Sequence, residues 1–309
     1  MLDAFCDDPV WNVRQSVLFA LPAVLSRLPT ALKRAQALKT VQKLVSDPAV
    51  GVRKSVLEVL GELIYAFRGD EGGPPKELLS LFLGEESLPK KDGSHGQSSG
   101  PPWINLISIS LNGVQLSADA QSPLEAPLDD PARALICAFN LPAVILTLGP
   151  RRWGELRGTY LKFAQMEIPG ILRTLAASIG EVARIIGPEQ AHTDLVHTWL
   201  CFAKFKDSMV RLKSLESLEG FLGALNAEDR LLIVSSLEDI WTNHLRSWKK
   251  RELLAQMLGS IASSFVETPQ TLGRLLRLAF RDGYATVRNA GVKSVSTTLK
   301  RVISYIKEY

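Results

Sequence analysis

The chain has 309 residues, 46% of them hydrophobic, and a formal net charge of +4, which is ample apolar content for a folded core. The charge is modest and spread out, short of the concentrated basic field of a dedicated nucleic-acid binder. Residues 1–30 show no basic leader, apolar centre and small-residue cleavage site, so no signal peptide is expected; nor is a membrane span, because no run of about 18 uncharged apolar residues stands out.

Residues 1–6 read as the stub of a helix, and Asp7-Asp8-Pro9 supplies a cap followed by proline. The next helix carries Val10, Val13, Val17, Leu18, Leu21, Val24, Leu25 and Leu28 at helical spacing, with Pro22 expected to bend it. This start lacks the polar outer side of a terminal repeat, so a fragment of a longer repeat array is one reading. Thr30–Val45 and Val50–Phe67 form a second helix pair around Asp47-Pro48. Residues 68–130 break the rhythm. Pro75–Leu83 is a short first helix, Pro131–Leu148 its partner, and 84–130 an insertion expected to be largely disordered and solvent-facing. Its apolar piece Trp103–Ile107 is expected to dock on its own chain. Arg151–Met166 and Pro169–Ile186 make a fourth pair, stopped by Gly187-Pro188. Helices near 189–205 and 209–225, 227–244 and 248–265, and 268–280 and 284–307 complete the array. The expected domains are 1–67, 68–148 with the insertion, and 149–309.

One arginine recurs early in the second helix of each pair. Arg173, Arg211, Arg251 and Arg288 are spaced by 38, 40 and 37 residues, and Arg14, Arg53 and Arg133 extend the series upstream. Phe139-Asn140-Leu141-Pro142-Ala143-Val144 also matches Phe19-Ala20-Leu21-Pro22-Ala23-Val24 at an offset of 120, three such periods. A unit of about 40 residues made of two helices is the signature of an α-solenoid, here an all-α, armadillo-like superhelix of about seven hairpins.

No catalytic or metal constellation is legible. Gly-rich phosphate loops, Cys-x-x-Cys, His-Glu-x-x-His and the nucleophile elbow are all lacking. His192 and His197 lie five residues apart, an awkward spacing for chelation on a helix. His95 falls in the insertion, and His244 has no partner motif. Cys6, Cys137 and Cys201 read as buried reduced thiols, which suits a cytoplasmic or nuclear protein. No enzyme and no cofactor are expected. Function should lie on the row of intra-repeat turns or on the concave face. The turns gather Trp11, Asp207, Ser208, Trp248, Lys249, Lys250 and Tyr284, and Trp248-Lys249-Lys250-Arg251 joins an aromatic to a basic cluster of the kind enriched at interfaces.

The turns also share a pattern: Asp8-Pro9 before Val13-Arg14, Asp47-Pro48 before Val52-Arg53, Asp282 before Val287-Arg288, and Asp207 before Val210-Arg211. It resembles the HEAT repeat family, in which such aspartates and arginines tend to form a ladder between neighbours. That resemblance implies ladder roles for Asp8, Arg14, Asp47, Arg53, Arg173, Arg211, Arg251, Asp282 and Arg288. Arg173–Gly187, Lys206–Arg211 and Trp248–Gln256 further resemble the family of regulatory subunit 1 of protein phosphatase 4, which is related to the scaffold subunit of phosphatase 2A. Two departures are Phe205, where a first aspartate is common, and Lys249, in place of the usual arginine. The resemblance implies a non-catalytic subunit that holds a metal-dependent serine/threonine phosphatase catalytic subunit by its turns, with Asp207, Ser208, Trp248, Lys249, Lys250 and Tyr284 as contact candidates. The competing expectation is a HEAT transport receptor or adaptor that grips a peptide or helix in its concave face. Against it stands the mixed lining of Arg173, Arg184, Lys213 and Arg301 among Glu181, Glu216 and Glu252.

Overall fold

The computed structural model describes residues 2–85 and 123–308, and its chain divides into two compact units, Met1–Thr147 and Leu148–Tyr309. Among the described residues there are helices and turns and no strand.

Unit 1 begins with α1 (Leu2–Cys6) and α2 (Trp11–Leu25), followed by α3 (Thr30–Leu44) and α4 (Val50–Tyr65), then α5 (Lys76–Leu83) and α6 (Pro131–Leu148). First helices pack on first helices (α1 on α3) and second on second (α2 on α4), giving two layers. The apolar stripe dictates this. Leu18, Leu21 and Leu25 of α2 and Val52, Val56, Leu60 and Leu63 of α4 recur at three- and four-residue spacing, and all are fully buried. Pro22 and Pro142 both lie inside their helices, each near the C-terminal end. A Cβ on Gly61 would sit 2.5 Å from the side chain of Asn140, so only glycine lets α6 approach α4 this closely. Asn140 then donates to the Glu58 carbonyl across the gap.

Three expectations need correction here. Residues 123–130, the end of the segment expected to face solvent, are partly packed: Leu124 and Ala126 are buried and their carbonyls accept from Arg133. The rest of that segment, with Trp103–Ile107 and His95, lies outside the described residues. Among the described residues α6 is the one helix long and apolar enough to cross a membrane. Such a helix equally suits a protein core, and half of α6 is buried within the protein. Cys201 is exposed, in contrast to Cys6 and Cys137, because it falls on the outer side of its helix while Phe202 and Ala203 turn inward.

Unit 2 runs α7 (Trp153–Gln165) and α8 (Pro169–Ile186); α9 (Pro188–Asp194) with α10 (Val196–Lys204), then α11 (Ser208–Glu216) with α12 (Leu218–Ala224); α13 (Ala227–Asp239) and α14 (Trp248–Met257); and α15 (Pro269–Phe280) and α16 (Ala285–Glu308). The second helices again pack in series, α8 on α11 and α12, α11 on α14, and α14 on α16. With unit 1 this makes seven hairpins among the described residues. The continuous helix expected over 209–225 is broken at Ser217. There the Ser214 and Ser217 hydroxyls donate to carbonyls three residues back and compete with the helical pattern. Gly180 lies against this break, where an added Cβ would meet the Phe221 amide nitrogen at 3.0 Å and the Ser217 carbonyl oxygen at 3.1 Å. The first helix of the sixth hairpin ends in a π turn, Ile240–His244.

Candidate partner-binding turn edge

Three junctions between hairpins are closed at their turns by an arginine on an aspartate of the next hairpin. Arg173 of α8 donates through Nε and Nη2 to the two carboxylate oxygens of Asp207, at 3.1 and 2.8 Å. Asp207 also accepts the Met209 and Val210 amides at 2.9 and 3.0 Å, capping α11. The carboxylate is therefore pulled down to about 2, chiefly by the Arg173 hydrogen bonds. Arg251 pairs with Asp282 at 2.5 and 3.2 Å, and Asp282 accepts the Tyr284 amide. Burial raises the Asp282 pKa most strongly, but Arg251 and that amide outweigh it and leave a net lowering. In unit 1, Arg14 pairs with Asp47 at 2.6 and 2.7 Å, and this pair lowers the Asp47 pKa. The remaining guanidinium nitrogen turns back on the arginine's own turn. Arg14 donates to the Asp8 carbonyl, Arg53 to Asp47, Arg211 to Phe205 and Lys206, Arg251 to Leu245, and Arg288 to Asp282.

Several expected ladder residues stand outside these pairs. Asp8 caps the Val10 amide. The Nε of Arg53 lies 2.7 Å from Glu125 as an ion pair without hydrogen-bond geometry, so a glutamate before α6 replaces an aspartate at a turn. Arg288 holds only its own turn among the described residues. Arg211 reaches its own turn, but its Nε is buried without a partner among the described residues. The next hairpin offers Leu245, Arg246 and Ser247 in place of an acid.

Along the turns of unit 2, Trp248 stacks on Tyr284 of the next hairpin at 5.6 Å and 18° between planes. The Lys249 ammonium lies 5.7 Å from the Trp248 ring centre, and Arg251 5.9 Å from that of Tyr284. Trp248 is half-buried, while Ser208, Lys249 and Tyr284 are exposed. Lys250 departs from the expectation of an exposed turn lysine, being only 6% exposed and donating to the Ser208 hydroxyl. The signal was in the helical phase, since Lys250 shares a face with the buried Leu254 and Leu258. Exposed Arg246, Lys249 and Arg281 make no ion pair with an acid among the described residues, whereas Asp207 and Asp282 are both engaged. Trp11, at the corresponding turn of unit 1, packs over Gly51 of the next hairpin.

Sequence reasoning missed a second set of links, between first helices. Trp153 Nε1 and Arg157 Nε both donate to the buried Asp194 at 2.7 Å, and His192 meets the buried Asp229 at 2.7 Å. Among the described residues no three His, Cys, Asp or Glu side chains gather as a metal site.

Stacked hairpins with arginine-to-aspartate links across their turns define a helical-repeat protein of the α-solenoid class. Residues 137–240 match the family model described as the protein phosphatase 4 regulatory subunit 1 middle domain. Serine/threonine-protein phosphatase 4 regulatory subunit 1 of Homo sapiens and that of Mus musculus are each 34% identical to this chain over 185 residues, 58% of it. The chain spans 19% of the length of these relatives. The resemblance read from Arg173–Gly187 is thus found again by two routes, and the chain is homologous to a phosphatase regulatory subunit. Among solved structures, an engineered protein aligns with a TM-score of 0.33 and 12% identity, covering 97% of this chain and 95% of that one. A microtubule polymerase TOG domain array aligns with a TM-score of 0.41 and 14% identity, covering 97% and 69%.

Proposed function

We propose that this protein is a non-catalytic regulatory or scaffold subunit that binds the catalytic subunit of a phosphatase 4 or 2A type serine/threonine phosphatase through its intra-repeat turns. On this reading the metals and the hydrolysis belong to the partner, and the hairpins position it. The observation that carries the reading is the turn edge of unit 2, where the stacked Trp248–Tyr284 pair stands beside Lys249, Arg246 and Arg281, which have no acidic partner among the described residues. Aromatic and arginine anchors in such a setting are the usual seat of interface energy. The homology to a phosphatase 4 regulatory subunit supplies the kind of partner.

The test is capture of recombinant phosphatase 4 catalytic subunit by the purified chain and by its Lys249→Glu and Trp248→Ala variants. The wild type is expected to bind, and each variant to lose roughly tenfold or more, as befits a central anchor. Melting profiles of the variants would separate lost contact from lost fold. No capture by the well-folded wild type, or full capture by both variants, overturns the reading.

A further inference from the structure

Of the three turn junctions in unit 2, two are closed by an arginine on an aspartate of the next hairpin, Arg173 on Asp207 and Arg251 on Asp282. The middle one is not. The next turn offers Arg211 no acid, its Nη1 donates to its own turn, and its Nε is buried without a partner among the described residues. Beside it stands Lys250, more than nine-tenths buried, whose one hydrogen-bond acceptor among the described residues is the Ser208 hydroxyl. Burial first, and then the charge of Arg211, push the Lys250 ammonium below its ordinary range. A buried cation without a counter-charge is costly, and two side by side more so. Asp207, the acid whose charge opposes that shift, is already shared between Arg173 and the α11 amides.

We propose that Arg211 and Lys250 form a receptor for a carboxylate side chain of the bound phosphatase catalytic subunit, which supplies the acidic member that this junction lacks. The inference rests on the function proposed above and names the chemistry of the contact. A carboxylate here takes charge-assisted hydrogen bonds from the Arg211 Nε and the Lys250 Nζ and relieves the repulsion between them. Ser208 and Met209 of the same turn edge are exposed, and Lys249 lies against the Trp248 ring beside them. The surrounding surplus of Arg246 and Lys249 favours the approach of an acidic surface.

The test is to fill the gap from within. Ser247 is the residue before α14 and its side chain caps nothing. It precedes Arg251 by four residues, as Asp207 precedes Arg211. Ser247→Asp therefore places a carboxylate at the position from which Asp207 meets Arg173. The variant is expected to melt higher than the wild type and to bind recombinant phosphatase 4 catalytic subunit roughly tenfold or more weakly, because its own acid occupies the receptor. A higher midpoint with unchanged affinity overturns the proposal, and so does an unchanged midpoint. Should the wild type capture no catalytic subunit, the proposed function falls, and the receptor is judged by its anion response alone. Melting in sodium acetate against sodium chloride of equal ionic strength should then raise the wild-type midpoint more than that of Ser247→Asp. Equal responses overturn the receptor.

Discussion

The Nδ1 of His192 lies 2.7 Å from Oδ1 of Asp229, so an exposed imidazole holds a carboxylate that is almost wholly buried. The other carboxylate oxygen is buried without a partner among the described residues, which leaves His192 as the main neutralising group. This contact, and the charge of Asp229, raise the His192 pKa. A raised folded-state pKa means that the stabilisation is fully present below the unfolded value, about 6.5, and is lost as pH rises through the folded value. The gap in melting midpoint between wild type and His192→Ala should therefore be widest near pH 5.5 and shrink toward about pH 8.5. A gap that grows with pH would contradict this pairing.

Asp207 gives the opposite sign. Its folded pKa, about 2, lies below the unfolded value, so its contribution is present above about pH 4 and fades as pH falls through 2. Asp207→Ala removes both a helix cap and the link to Arg173, and at neutral pH should cost about 1–2 kcal/mol in a denaturant titration. Asp207→Asn keeps the cap and should cost less. In strong acid the wild type should fall toward Asp207→Asn, while the gap between Asp207→Asn and Asp207→Ala, neither of which titrates here, should persist.

Gly180→Val probes the close approach of α8 to the α11–α12 break. The added atoms would meet main-chain atoms of Ser217 and Phe221, which cannot swing aside as a side chain could. Overpacking of about 1–3 kcal/mol is expected from equilibrium unfolding. An unchanged midpoint would mean that the helices separate freely at this point.

Trp153→Phe keeps the aromatic bulk in the core but removes the indole donor to Asp194. The Asp194 side chain is wholly buried and would keep only Arg157. The loss should be about 1–3 kcal/mol, well above that of an ordinary surface change. Restored stability in Trp153→Phe combined with Asp194→Asn would show that the uncompensated charge, and not ring packing, carries the cost.

Thiol reactivity offers a direct check of the core. A bulky disulfide reagent near pH 8 should label Cys201 alone in the native protein and all three cysteines in denaturant. Burial raises the Cys137 thiol to about 11, which leaves it inert in the folded state.

Much of the architecture was legible because two signals agree in phase. Apolar spacing located the helix pairs, and the recurring arginine located their turns, so Arg173, Arg211 and Arg251 mark the starts of α8, α11 and α14. What was not legible depends on neighbours far along the chain. Asp194 reads as an ordinary polar residue until Trp153 and Arg157, 41 and 37 residues earlier, are brought against it. Lys250 reads as a solvated lysine when taken with Lys249, although its phase with Leu254 and Leu258 placed it inward. The break at Ser217 arises from hydroxyls competing for carbonyls, a local choice that the apolar stripe does not record.

The aspartates paired with Arg14, Arg173 and Arg251 each hold an amide at the turn that leads into the next helix while gripping an arginine of the preceding hairpin, so setting a turn and welding it to its neighbour are a single event. Cooperativity is thereby passed from hairpin to hairpin wherever the weld exists. Between the fifth and sixth that weld is missing and the junction is left to first-helix links such as His192 to Asp229, so within unit 2 a pull along the array would part the hairpins there sooner than at the welded junctions on either side.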